Sequence, residues 1–338
     1  MAGSYNVTIV GASGVVGTTL LSLLAERNFP INKLFLLASH RSAGETRKFM
    51  GKDVVISDIA DFDFSQSQFA FFCASNEIAA KYAPKAAAAG NVVLDKSSHF
   101  RYDDGVPLIV PEVNQNAIAT YANQNIIASP NCNTIPIVVA LKPIYDAVGI
   151  TRINVATYQS VSGTGKDAIA ELELQSNQIL QGQPIAPKVY PQQIAFNVLP
   201  HIDSFEENGY TKEEMKIVWE TQKILNDKSI SINPTAVRVP VYCGHSAAVH
   251  IETQEKITLQ QALGLLKNAP SVELITGEFP YPTPVVDAAG KDSVFVGRVR
   301  EDFSCAKGLN LWVVADNLRK GAALNAIQVA ERLVGFSP

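Results

Sequence analysis

Short apolar runs alternate with helix-period runs along the first part of the chain. Asn6 to Val10 reads as a strand and Thr18 to Glu26 as a helix. Leu34 to Ala38 and Phe69 to Cys73 read as further strands. Asn76 to Ala89 is alanine-rich and helical, bent at Pro84 and stopped at Gly90, and Val92 to Asp95 and Asn125 to Ala128 are strands again. This alternation predicts a parallel, doubly wound sheet. A helix should follow from Ile135 to Val148, with Pro136 tolerated in its first turn, a kink at Pro143 and a stop at Gly149.

Beyond Val148 the period changes to two. Thr151 to Gln159 alternates, with Ile153, Val155 and Thr157 on one face, and runs into the polar loop Ser160 to Gly165 and a helix from Lys166 to Leu180. Residues 182–200 contain four prolines and read as an extended excursion at a subunit interface. Thr211-Lys-Glu-Glu214 is a capping box that opens a helix to Asn226. Thr235 to Val241, Ala247 to Thr253, Val294 to Val299 and Leu309 to Val314 read as strands of a second sheet, antiparallel or mixed. A last helix to Val334 is placed to return to the first sheet. The expected organisation is α/β: a dinucleotide-binding domain of the Rossmann type over residues 1–129, an α+β catalytic and dimerisation domain over 130–315, and a returning segment, 316–338.

Bulk properties narrow the class. The 338 residues are 47% hydrophobic and 18% charged, enough apolar material for two cores. The net charge is -4 with no block of like charge, which argues against nucleic acid or an anionic membrane surface as the main partner. No apolar run reaches spanning length, and no basic segment followed by an apolar one precedes the first strand. Cys73, Cys132, Cys243 and Cys305 are scattered, with neither zinc-type pairs nor a disulfide framework, so a cytoplasmic location and no metal are expected.

The candidate chemistry sits at the ends of the strands. Gly11-Ala-Ser-Gly14-Val-Val-Gly17 lies between the first strand and the first helix. There glycines let the backbone approach a pyrophosphate at a helix N-terminus. The second strand ends in Ser39-His-Arg41-Ser42 without the acid that would bind a ribose 2′-OH; Arg41 and Ser42 suit a 2′-phosphate, which favours NADP(H). Cys132, in Ser129-Pro-Asn-Cys-Asn-Thr134, falls at a strand-to-helix turn where free N–H groups favour a thiolate; the alternative is an inert buried cysteine. Arg101 leaves a strand end as an anion binder or an ordinary arginine. Glu213 and Lys216 share a helix face, as functional groups or as a simple ion pair. Arg238 lies within an apolar strand and needs a partner, one option being a substrate carboxylate. His245 sits at a turn, able to handle a proton or to stand by.

Taken in order, Gly11-Ala-Ser-Gly-Val-Val-Gly17, Ser129-Pro-Asn-Cys-Asn-Thr134, Tyr158-Gln-Ser-Val-Ser-Gly163, Arg238-Val-Pro-Val with Gly244-His245, and Ala315-Asp-Asn317 resemble the bacterial aspartate-β-semialdehyde dehydrogenases, shorter type, over essentially the whole chain. The resemblance implies NADPH-dependent reduction of L-aspartyl-4-phosphate to L-aspartate-4-semialdehyde and phosphate, on the way to lysine, threonine, methionine and diaminopimelate, by a homodimer. It implies Cys132 as the thioester nucleophile, His245 as general acid/base and Gln159 as the group orienting substrate. Arg238 would clamp the α-carboxylate and Glu213 meet the α-amino group. Arg101 and Lys216 would bind phosphate, with Asn131 nearby. Gly11, Ser13, Gly14, Val15, Val16, Gly17, Arg41, Ser42, Ser162, Gly163 and Asn317 would bind NADP. The rivals are N-acetyl-γ-glutamyl-phosphate reductase, which has no use for an acid facing a free ammonium, glyceraldehyde-3-phosphate dehydrogenase, and an NADP-binding redox sensor acting through Cys132.

Overall fold

The computed structural model describes residues 3–336. In chain order the elements are β1 (Tyr5–Val10), α1 (Val15–Glu26), β2 (Ile31–Ala38), β3 (Thr46–Phe49), β4 (Lys52–Asp58), β5 (Phe69–Phe72), α2 (Asn76–Ala88), β6 (Val92–Asp95), α3 (Pro111–Asn114), β7 (Ile126–Ala128), α4 (Thr134–Val148), β8 (Ile150–Gln159), α5 (Lys166–Leu180), α6 (Lys212–Leu225), β9 (Ser231–Arg238), β10 (His245–Thr253), α7 (Leu259–Lys267), β11 (Val272–Leu274), β12 (Val294–Glu301), β13 (Gly308–Ala315) and α8 (Leu324–Val334). They fall into two compact units. One holds the residues up to Pro130 with those from Ala322 on; the other is Asn131–Gly321. Asp316 to Gly321, expected with the returning segment, stay with the second unit.

The first unit is built on a seven-stranded sheet of order β3-β4-β2-β1-β5-β6-β7. Every neighbouring pair is parallel except β3 and β4. The central strands are apolar on both faces, as parallel strands covered on both sides must be; all four residues of β5 are buried. Leu20, Leu23 and Leu24 of α1 share a core with Leu324, Ile327 and Ala330 of α8. Arg27 on the first helix's C-cap closes a bidentate pair with Glu331, at 2.6 and 2.9 Å. The β3–β4 hairpin escapes the sequence pattern because charged residues occupy its edge strand; its turn is Met50-Gly51, both at positive φ.

The glycine loop between β1 and α1 has a steric logic. A Cβ on Gly11 would stand 2.3 Å from the Cys73 carbonyl oxygen, and one on Gly17 would stand 2.2 Å from the Gly11 carbonyl oxygen. A Cβ on Gly14, the N-cap, would meet only the Gly11 oxygen, at 3.4 Å. Gly11 and Gly17 therefore close the turn, while Gly14 leaves the helix N-terminus bare. Gly17→Ala is expected to destabilise the protein by about 1–3 kcal/mol, the usual cost of overpacking. Gly14→Ala should change stability by only a few tenths of that, and thermal unfolding of the two variants side by side checks the contrast.

The second unit carries a six-stranded mixed sheet, order β11-β12-β13-β10-β8-β9. The pairs β8–β9 and β11–β12 are parallel and the rest antiparallel. Ile153, Val155, Thr157 and Gln159 of β8 are buried on one face, the face expected from alternation. Tyr158, on the other face, is exposed and packs against Trp312. The bounds of β9 and β10 differ most from expectation. β9 begins at Ser231 and ends at Arg238, because Pro240 lacks an N–H and Val241 turns back onto the Val239 carbonyl. β10 begins at His245, so this histidine is the first residue of a strand and not part of a turn. No helix among the described residues is long and apolar enough to cross a membrane.

Candidate active site

Cys132 lies two residues before α4, whose N-cap is Asn133. It is half-buried. Gly321 packs against it so closely that a Cβ there would stand 3.2 Å from the Cys132 Cβ. The turn that presents Cys132 is gripped by α6. A stripe on that helix, Glu213, Ile217, Glu220 and Ile224, is buried. Glu220 accepts the Asn131 backbone N–H at 2.6 Å, and Glu213 accepts the Asn131 side-chain amide at 2.9 Å. Asn131 Oδ1 in turn accepts the Asn133 N–H at 2.8 Å. Asn133 Nδ2 reaches Cys132 Sγ at 3.8 Å.

Glu213 is the hub. Besides Asn131, its Oε1 accepts from Asn133 Nδ2 and Gln159 Nε2, both at 3.3 Å, and its Oε2 pairs with Lys216 at 3.1 Å. Lys216 also pairs with Asp203 at 2.8 Å. Burial pushes the Glu213 carboxyl up, but the Lys216 charge and the hydrogen bonds from Asn131 and Lys216 outweigh it and hold its pKa below the ordinary 4.5. Burial opposes the charge on Lys216, and the two carboxylates override it and hold the ammonium above 10.5.

A second cluster adjoins through the end of β8. Gln159 is the last residue of that strand and Ser160 follows it. The Ser160 N–H donates to His245 Nδ1 at 3.0 Å, and Arg238 Nη1 donates to the Ser160 carbonyl at 2.7 Å. The sequence left Arg238 in need of a partner; the Ser160 carbonyl is one, and Arg238 Nε lies buried without an acceptor among the described residues. Gly163 lies between the two side chains: a Cβ there would meet Arg238 Nη1 at 3.1 Å and His245 Nε2 at 3.3 Å. Burial, reinforced by the Arg238 charge, holds the His245 pKa well below 6.5. Asn317 Oδ1 accepts from Gly244 N–H at 2.9 Å and from the Ser160 and Ser162 hydroxyls, each at 3.1 Å.

The residues expected to act on substrate thus gather in the second unit as one connected web: Cys132, Asn131, Gln159, Glu213, Lys216, Arg238 and His245. Ser162, Gly163 and Asn317, expected at the cofactor, belong to the same web. Gly11, Ser13, Gly14, Val15, Val16, Gly17, Arg41, Ser42 and Arg101 belong to the first unit. Arg101 is buried there and donates from Nη2 to the Lys96 carbonyl at 2.9 Å. Sequence reasoning missed Ser160, Asp203 and Glu220. Glu220 carried a signal, since two acids recur in one apolar helical stripe. Asp203 carried none: it sits in irregular chain at φ 69. The helix N-terminus left bare by Gly14 and the exposed Arg41 fit a nicotinamide dinucleotide. Among the described residues no three His, Cys, Asp or Glu side chains gather as a metal site.

The family models match in two blocks. Residues 6–121 match the semialdehyde dehydrogenase NAD binding domain, and residues 141–320 match the semialdehyde dehydrogenase dimerisation domain. The chain belongs to the semialdehyde dehydrogenase family. Its relatives include aspartate-semialdehyde dehydrogenase of Shewanella sp. (strain DB6705), 61% identical over 334 residues and 99% of each chain. The enzyme of that name from Aquifex aeolicus is 49% identical over 335 residues, 98% of each chain. Among solved structures, aspartate semialdehyde dehydrogenase II of Vibrio cholerae, complexed with ASA, superposes with a TM-score of 0.97 at 58% identity, over 98% of this chain and 99% of that one. As a semialdehyde dehydrogenase the protein is an oxidoreductase of two α/β domains that uses a nicotinamide cofactor.

Proposed function

We propose that the protein is an aspartate-semialdehyde dehydrogenase, reversibly reducing L-aspartyl-4-phosphate to L-aspartate-4-semialdehyde and phosphate with NADPH. This is an early step toward lysine, threonine, methionine and diaminopimelate. The observation that supports this reading best is the web of hydrogen bonds that ties the Cys132 turn to Glu213, Gln159, Arg238 and His245. A redox sensor would need a reactive thiol but none of this constellation. In the proposed cycle the Cys132 thiolate adds to the acyl phosphate carbonyl, a C–S bond forms, and phosphate leaves a thioester behind. The cofactor, when bound, would supply a hydride to the thioester carbon; the C–S bond then breaks, which releases the aldehyde and returns Cys132 as a thiolate. His245 acts at the oxygen of that carbonyl, and Gln159 orients the acyl group. Arg238 holds the α-carboxylate.

Glu213 is assigned to the α-amino group, which also argues against an N-acetylated substrate. Three of its four protein donors crowd Oε1, while Oε2 accepts from Lys216 and keeps a lone-pair position that an incoming ammonium can use. Lys216 and Arg101 are assigned to phosphate, with Asn131 beside Cys132. Gly11, Ser13, Gly14, Val15, Val16 and Gly17 are assigned to the pyrophosphate and Arg41 and Ser42 to the 2′-phosphate, with Ser162, Gly163 and Asn317 on the catalytic side. A homodimer fits the match to a dimerisation domain and the open, partly apolar face around Tyr158, Tyr281 and Trp312.

The deciding experiment is phosphate-dependent reduction of NADP⁺ with aspartate semialdehyde, run against NAD⁺ and against N-acetylglutamate semialdehyde. Turnover of aspartate semialdehyde with a higher kcat/KM for NADP⁺ is expected. Failure to turn it over sinks the reading, and indifference to the cofactor's 2′-phosphate removes the role of Arg41. Arg238→Lys is expected to raise the substrate KM and lower kcat/KM roughly tenfold or more, because an ammonium cannot make two parallel bonds to a carboxylate while keeping the Ser160 carbonyl. Near-wild-type kinetics would remove the clamp.

A further inference from the structure

We propose that the irregular segment 188–199 is a strap that positions Arg238 for the substrate carboxylate, and that Glu171, Gln175 and Tyr190 are the positioning residues that hold the strap and pass its hold on. The catalytic consequence rests on the proposed role of Arg238 as carboxylate clamp. The mechanical link between strap and arginine rests on geometry alone.

Between α5 and Leu199 the chain forms neither helix nor strand, so no ladder satisfies its main-chain N–H groups. Two buried polar side chains one turn apart on α5 do so instead. Glu171 Oε2 accepts the Lys188 and Val189 N–H groups at 2.8 and 2.6 Å. Its Oε1 accepts the Tyr190 N–H at 3.4 Å and the Gln175 side-chain amide at 3.1 Å. Gln175 Oε1 accepts the Ile194 and Ala195 N–H groups at 2.9 and 3.1 Å. A carboxylate facing three successive N–H groups is the main-chain nest used for anions, here filled by the protein's own acid. Apolar packing closes the arrangement: Tyr190, Ile194 and Leu199 share a small core with Val161 and Leu172. Glu171 and Gln175 have no part in the web around Cys132, and their burial is explained by the strap.

The strap meets Arg238 in two ways. β9 is the last strand of its sheet, so the outer main-chain groups of Arg238 have no neighbouring strand. Leu199 takes that place: the Arg238 N–H donates to the Leu199 carbonyl at 2.8 Å, and the Leu199 N–H donates to the Arg238 carbonyl at 2.9 Å. The second link runs through the side chain of Tyr190, whose hydroxyl donates to Thr164 Oγ1 at 3.0 Å. Burial pushes this phenol above its ordinary 10 even though the Arg238 charge pulls the other way, so it stays a neutral donor. Thr164 belongs to the Ser160–Gly165 loop. The Ser160 carbonyl of that loop takes Arg238 Nη1 at 2.7 Å, and Gly163 stands against the same guanidinium. The strap therefore holds both the main-chain root of Arg238 and the loop on which its guanidinium rests. A planar fork binds a carboxylate through two parallel bonds only over a narrow range of orientation, so a loosened root or a loosened loop costs substrate binding.

Two measurements on the full-length protein test this. Amide hydrogen exchange read by mass spectrometry should be faster in Glu171→Ala than in wild type across 188–199, and also across 160–165 and 236–240. Faster exchange confined to 188–199 overturns the proposal. In kinetics, Tyr190→Phe removes one hydroxyl and keeps the ring. Its KM for aspartate semialdehyde is expected to rise roughly fivefold, the worth of one hydrogen bond, with kcat within about twofold of wild type. Glu171→Ala should raise KM by roughly tenfold or more, and Glu171→Gln, which keeps one acceptor oxygen, should fall between it and wild type. A purely structural role would lower thermal stability and leave KM unmoved in the folded fraction, and that result overturns the proposal. Placed in an Arg238→Lys background, Tyr190→Phe should change KM by less than about twofold, because residues acting through one group are not additive. An undiminished effect there places the action of the strap away from the clamp and overturns the proposal as well. A wild type that leaves aspartate semialdehyde untouched would sink the proposed function, while hydrogen exchange would still decide whether the strap holds Arg238.

Discussion

Cys132→Ser is expected to fold like the wild type and to lose activity by roughly three orders of magnitude or more. The substitution is nearly isosteric. The turn is held by the Asn131 and Asn133 amides and by Glu213 and Glu220, so little structure depends on the sulfur. A serine hydroxyl keeps its proton near neutral pH where a thiol at a helix N-terminus yields a thiolate, so the oxygen is the far weaker nucleophile. Mass spectrometry of protein mixed with substrate should find one acyl adduct per chain, on Cys132, and none in the variant. An adduct that survives the substitution would refute the assignment. Cys73 and Cys243 are poor sites for such an adduct. Burial pushes the Cys73 thiol up to about 12, and burial with the nearby Asp316 charge does the same to Cys243.

Glu213→Ala should give the second-largest effect, and in two properties at once. It strands Lys216, Gln159 and the two asparagine amides. Breaking one partner of a buried ion pair costs about 3–5 kcal/mol, and the surviving Asp203 bond keeps this case near the lower figure. Activity should fall as well, because the Cys132 turn loses one of its two anchors on α6. The pH dependence separates this from simple loss of packing. A carboxyl with a depressed folded pKa contributes stability that is present above its ordinary 4.5 and is lost as pH falls through the folded value. Lys216, raised above 10.5, contributes below that value and loses its contribution as pH rises beyond it. Acid titration of stability should therefore be steeper in the wild type than in Glu213→Ala below pH 4.5. Equal slopes would mean that Glu213 is not ionised against Lys216.

The legible parts of the fold were those where one local rule dominates. Apolar runs gave β1, β5 and β6 within a residue or two, and the capping box gave the start of α6. The β3–β4 hairpin was hidden because Arg47 and Lys48 on the edge strand, with Lys52 and Asp53 opening the strand beside it, leave no apolar alternation. The end of β9 was overrun because valine propensity was weighed above a proline that cannot donate. At the site, residue types and spacing suggested Cys132, Arg238 and His245. The partners that tune them were not legible, because they are backbone atoms. The Ser160 N–H and C=O fix the histidine and the arginine, and a main-chain group leaves no trace in residue identity. Glu213 was read as a possible simple ion pair; only the fold, by bringing α6 against the Cys132 turn, makes it a four-donor hub.

The split of the first unit between two stretches of sequence has a consequence for biosynthesis. Leu324, Ile327 and Ala330 complete the core that α1 begins, yet all of residues 131–321 are made between them. On the ribosome, where segments emerge in order and fold as they become complete, the second unit can finish first. The nucleotide-binding sheet must wait with the α8 side of its core open to water. The order of maturation is then the reverse of the order of synthesis, and the waiting half is the natural client for a chaperone.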